Sequence, residues 1–151
     1  FLQKAQGPYL RENGKQAFDT ISGTRKQVLP VGGWDLSLEE TSITKQSPNL
    51  YMAAALDEHF LLAAVKFRNV LNEEQTIDSG VLSAAIIDDK GKEHSWNQYV
   101  LSALEGEIVS VPLRGKGVAT VRLPFLLPKN AIPKKLRFTD PTSGRMSIVT
   151  L

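Results

Sequence analysis

A chain of 151 residues, 42% apolar and 23% charged, is long enough to bury one continuous core, and no apolar run in it approaches the ~18 residues that cross a bilayer. It has no cysteine, which excludes a disulfide framework, a thiolate metal site and a cysteine nucleophile. The formal net charge of +2 conceals two blocks: eight acids against two lysines over residues 73–107, then eight bases against one acid over 114–145. Such blocks either neutralise each other across neighbouring strands or leave an oriented field that steers an anionic partner.

The chain opens at Phe1 without an initiating methionine and without the charged start, apolar middle and small-residue cleavage site of a signal peptide. That start is expected of a trimmed or mature product. Residues 1–27 contain Gly7-Pro8, Asn13-Gly14 and Ser22-Gly23 with little regular apolar spacing, and are expected as a loosely packed arm ahead of a domain over 28–151. Val31-Gly32-Gly33 supplies a bend, after which Trp34, Leu36 and Leu38 alternate with Asp35, Ser37 and Glu39 as on a half-buried strand.

The stretch NLYMAAALDEHFLLAAVKFRNVLNEE, from Asn49, divides two signals. Alanine and leucine favour a helix. Against this, Asp57-Glu58-His59 interrupts two apolar runs of strand length, and Leu61, Ala63, Val65 and Phe67 alternate with Leu62, Ala64, Lys66 and Arg68. The spacing predicts a hairpin. VLSAAIIDDKGKEHSW predicts a second one, with its turn at Asp89-Lys90-Gly91.

In RGKGVATVRLPFLLPKNAIPKKLRFTD, from Arg114, the residues Ala119, Val121, Leu123 and Phe125 are expected to face inward while Thr120 and Arg122 face outward. Pro124 cannot donate a ladder hydrogen bond and belongs at a sheet edge or strand end. Leu136 and Phe138 mark a short strand, Asp140–Gly144 a turn, and Met146–Leu151 a last strand. Short strands separated by turn signals, with no βα alternation, predict an all-β antiparallel sandwich. Its expected core is Trp34, Leu36, Val65, Phe67, Ile86, Val121, Leu123, Phe125, Leu136 and Phe138.

The succession FLLAAVKFRNVLNE, IIDDKGKEHS, LRGKGVATVRLPFLLPKN and KKLRFTDPTSGRMSIVTL resembles the immunoglobulin-like domains of bacterial lipoproteins and secreted proteins of unassigned function, grouped with the immunoprotective extracellular proteins. The shared features are a strand closing on an Asn, a D-x-x-G-K hairpin, a Gly-led strand running into an F-x-x-P corner and a final L-R-F-T-D strand, over about residues 30 to 151. The resemblance implies an immunoglobulin-like sandwich outside the cytoplasm, secreted, periplasmic or lipid-anchored, acting as an accessory or interaction module with no catalytic site to carry over.

Residues suited to chemistry are sparse. His59 and His94 are the only histidines, H-E-x-x-H and G-x-S-x-G are absent, and D-D-K-G-K-E lacks the alternating oxygen ligands of an EF-hand. Gly115 and Gly117 suit strand entry better than phosphate binding, since no helix follows them. Trp34 reads as core, whereas Trp96 beside polar neighbours could form an exposed patch with Tyr99. The expected function is therefore binding without catalysis, cofactor or metal. Arg122, Lys129, Lys134, Lys135 and Arg137 would form a basic strip if their strands share a sheet. The partner would be a protein or an anion, with no nucleic acid and no membrane span. The alternatives are a polyanion-binding module using the basic residues of 114–145, and a small hydrolase or metal-dependent enzyme requiring His59, His94 and an acid to converge.

Overall fold

Period-two burial builds two facing sheets. The computed structural model describes residues 2–4, 11–12, 15–16, 20–44, 57–77, 82–96 and 111–151. These form β1 (Leu2–Lys4), β2 (Arg11–Glu12), β3 (Lys15–Gln16), β4 (Thr20–Thr24), β5 (Leu29–Val31), β6 (Trp34–Thr44) and β7 (Glu58–Asn69). There follow β8 (Gln75–Ile77), β9 (Ser83–Asp88), β10 (Glu93–Ser95), β11 (Val111–Leu113), β12 (Val118–Pro128), β13 (Pro133–Thr139) and β14 (Met146–Thr150). No helix occurs among the described residues.

One sheet runs β1-β4-β14-β13-β9-β10 and the other β12-β7-β6-β5, with the short pairs β8–β11 and β2–β3 beside them. The chain is an all-β sandwich, antiparallel except where β4 lies parallel to β1 and to β14. Between the sheets lie all the residues expected in the core, with Ile21, Leu38, Leu61, Leu127 and Val149 added. At the centre the Trp34 and Phe67 rings meet edge to face, their centroids 5.7 Å apart.

Among the described residues, contacts join the two sheets on both sides of the sandwich. On one side the buried Ser147 hydroxyl of β14 donates to the Pro30 carbonyl of β5 at 2.7 Å. On the other, Trp96, just after β10, forms a single antiparallel bridge to Phe125 of β12. Pro124 therefore lies on an edge strand, as its missing N–H requires.

Two expectations change. The arm predicted over 1–27 does not extend to its last residues: β4 is an inner strand of the larger sheet, and Ile21 is fully buried. A single inward isoleucine between polar neighbours gives too short an alternation to be read locally. In the stretch over 49–66 the second arm lies in a strand, β7, paired antiparallel with β6 from Trp34↔Asn69 to Thr44↔Phe60. The first arm, up to residue 56, lies outside the described residues. Phe60 to Val65 are buried on both faces of the sheet, so this segment shows a continuous apolar run in place of alternation.

Candidate binding face

The outward face of β6, β7 and β12 follows directly from strand register. Its rows are Asp35–Arg68–Val118, Ser37–Lys66–Thr120, Glu40–Ala64–Arg122 and Ser42–Leu62–Pro124. Lys66, Arg68 and Arg122 are all exposed. Cross-strand and same-strand spacing sets them within about 8 Å of their nearest cationic neighbour, inside a Debye length of about 10 Å at 0.1 M salt, so their fields add. The acids of this face lie on β6: Asp35 stands 3.8 Å from Arg68, Glu39 accepts from the Ser37 hydroxyl at 3.2 Å, and Glu40 is exposed in the Arg122 row, so the cations are grouped on the β12 side. Further along the same face the character changes: Phe60, Leu62 and Ala64 are buried, and Leu126 is 41% exposed.

The basic strip expected from sequence does not form. Arg122 lies on the four-stranded sheet, whereas Lys135 and Arg137 lie on β13 of the six-stranded sheet, with the core between them. Arg137 is occupied as well, its Nη1 donating to Glu93 at 2.6 Å. There the acidic and basic blocks neutralise each other across strands. Lys129 is exposed in the β12–β13 turn and Lys134 at the start of β13, and the β9–β10 hairpin grips this turn where the Asp89 N–H donates to the Ile132 carbonyl at 2.9 Å. Trp96 is no exposed platform: it is buried at the sheet-to-sheet bridge. Tyr99 lies outside the described residues.

The groups best suited to acid–base chemistry serve the scaffold. Asp88 and His94 are both buried, and Asp88 Oδ2 lies 2.9 Å from His94 Nε2. With the carboxylate ionised, Nε2 is the nitrogen that carries the proton. Asp88 Oδ1 accepts from the Lys90 and Lys92 N–H groups, both at 2.9 Å, across a turn in which Gly91 has φ +78°. One carboxylate thus fixes the hairpin and orients the imidazole. His59 sits on β7 opposite Leu127, in the other sheet, and no group of three metal-ligating side chains gathers among the described residues.

His94 holds the Asp88 carboxyl below the usual aspartate range, burial opposes this, and the Lys92 and Lys90 amides and the charge of His94 reinforce it. Because the folded value lies below the unfolded one of about 3.9, ionised Asp88 stabilises the fold above that pH, and the contribution fades as pH falls through the folded value. Unfolding measured against pH should show an acid limb that is shallower in Asp88→Asn than in the wild type. An identical limb in both would mean that Asp88 carries no part of the acid sensitivity.

Gly115 and Gly117 also have structural duties. A Cβ on Gly115 would collide with the Asn72 backbone carbonyl. The adjoining turn is held by the Lys116 N–H donating to the Leu71 carbonyl at 2.9 Å.

No protein-family model and no curated protein matches this chain. Solved structures share its fold. An uncharacterized β-sandwich protein from Clostridium difficile 630 is 11% identical, with TM-score 0.57 over 93% of this chain and 98% of that one. The yjhA protein of Bacillus subtilis is 13% identical, with TM-score 0.58 over 85% and 98%. A candidate lipoprotein of Bacillus subtilis, ycdA, is 10% identical, with TM-score 0.55 over 85% of this chain and 38% of that one. The chain is a β-sandwich of the kind found in these uncharacterized bacterial proteins.

Proposed function

We propose that this chain is a non-catalytic, immunoglobulin-like binding module that works outside the cytoplasm and engages acidic partners through the outward face of β7 and β12. The observation that carries the reading is the grouping of exposed Lys66, Arg68 and Arg122 in adjacent rows of β7 and β12, with the acids of the face, Asp35, Glu39 and Glu40, all on β6. The extracytoplasmic placement draws support from the resemblance in its turns and strands and from the fold it shares with a candidate lipoprotein.

Polyphosphate is a suitable probe because it offers negative charge without sequence. Three cations imply that its affinity falls on the order of tenfold between about 50 and about 200 mM salt. The double variant Lys66→Glu, Arg122→Glu should lose binding while each exposed substitution changes stability by less than about 0.5 kcal/mol. Absence of any salt-sensitive binding by the wild type would remove the reading. Survival of binding in the double variant and its loss in Lys134→Glu, Lys135→Glu would move the site to the other sheet.

A further inference from the structure

We infer that the ligand of this face is a linear phosphodiester chain, laid along β7 and β12 with one phosphate to each of three successive rows. This rests on the reading of the face as a binding surface and names its ligand class.

Register places one cation in each of three consecutive rows, Arg68 in the first, Lys66 in the second and Arg122 in the third. The first two stand on β7, and the last is displaced by one strand onto β12. Outward residues of one strand lie about 7 Å apart and neighbouring strands about 4.8 Å, so the two steps along this track are about 7 and about 8 Å at the backbone. All three cations are exposed, as is Thr120 beside Lys66.

The track is narrow and short. Asp35 and Glu40 on β6 flank its first and third rows, so a broad anion would meet carboxylates along that side. Below Arg122 the next two rows hold Leu62 with Pro124 and Phe60 with Leu126, none of them charged. Above Arg68, Lys116 turns its ammonium onto the Val70 carbonyl. The face therefore suits a thin chain that carries charge at intervals and is engaged over three charges.

Phosphodiester chemistry meets that demand. Two phosphorus atoms joined through a three-carbon diol are six single bonds apart, about 7 Å when extended. Arginines at both ends of the track offer planar forks that bind phosphate oxygens in pairs. An extended acidic peptide spaces its carboxylates at a similar interval, but its intervening N–H groups would lie over rows whose one exposed hydroxyl is Thr120. A phosphodiester has no donor to satisfy. The three rows contain no aromatic side chain, so bases gain no stacking platform and the chain is held by its phosphates.

The test is an NMR shift titration at about 20 mM salt, where surface charges are little screened, with oligomers of propanediol phosphate carrying one to six phosphates. Oligothymidylates of the same phosphate number, a peptide of alternating glutamate and alanine, and polyphosphate serve as comparisons. Affinity should rise at least about tenfold from one phosphate to three and then level off. Against salt, the three-phosphate oligomer should weaken with a log–log slope of about −2. Thymidylates should match the propanediol series, and the peptide should bind at least about tenfold more weakly. Arg68→Gln or Arg122→Gln should move the plateau from three phosphates to two. Lys66→Gln, which leaves the two arginines about 15 Å apart, should flatten the rise. A rise that continues to six phosphates, with the three glutamine variants equivalent, would mean a diffuse field and overturn the inference while the face stands. So would tighter binding of the peptide or of the thymidylates, or binding of polyphosphate alone. If none of the four probes binds, the inference and the face fall together.

Discussion

Asn69→Ala should destabilise the protein by about 3–5 kcal/mol, a large share of the roughly 5–15 kcal/mol that holds a domain of this size together. Asn69 is fully buried at the end of β7. Its Nδ2 donates to the carbonyls of Glu73, Leu113 and Arg114 at 2.8, 3.1 and 3.1 Å. Its Oδ1 accepts from the Leu71 N–H at 3.0 Å and from Gln75 Nε2 at 2.6 Å, and Gln75 Nε2 also reaches the Gly33 carbonyl at 2.7 Å. A single amide therefore joins the loop after β7, the turn before β12 and, through Gln75, the turn before β6. Alanine strands several buried groups at once, each of which costs about 1–3 kcal/mol when unsatisfied. Asn69→Asp should be at least as damaging, since a carboxylate oxygen would replace the donor that faces three carbonyls. Urea denaturation reads both effects. A loss below about 1 kcal/mol for Asn69→Ala would show that water replaces the amide and that this end of the sandwich is open.

Phe67→Ala should cost a comparable amount, about 3–5 kcal/mol, for a different reason. Phe67 is fully buried, faces Leu36 on β6 and Ala119 on β12, and carries the edge-to-face contact with Trp34. Truncation leaves a cavity between two rigid sheets that cannot close around it. Phe67→Leu keeps most of the volume and should cost much less. The urea midpoint should fall while the slope holds, because the surface exposed on unfolding hardly changes. A small loss for Phe67→Ala would place this ring outside the load of the core.

What could be read from sequence was the part carried by local alternation. Trp34-Asp35-Leu36, Val65-Lys66-Phe67 and Leu136-Arg137-Phe138 each declare an inward and an outward side within a few residues, and the inward residues are buried. The β9–β10 turn was equally legible, since Gly91 at φ +78° does what its position in D-D-K-G-K suggests. Phe60 to Val65 resisted because both faces of β7 are apolar there, which removes the period that separates strand from helix.

The binding face needed information that alternation does not hold. Sequence shows that Arg122 and Arg137 both point outward, but the pairing of β12 with β7 and of β13 with β9 decides that they point in opposite directions. Lys66 and Arg68 were recognised as outward residues, yet only the long-range register sets them beside Arg122. Trp96 misled for a similar reason: its polar sequence neighbours say nothing of Phe125, the residue it reaches across the sandwich.

Backbone and side-chain NMR of the protein titrated with polyphosphate at low salt tests the central claim most directly. Shift changes should centre on Lys66, Arg68, Thr120 and Arg122 and fade as salt rises, with Lys135, Arg137 and Glu93 unmoved. Changes centred on Lys134, Lys135 and Arg137, or none at all, would contradict it.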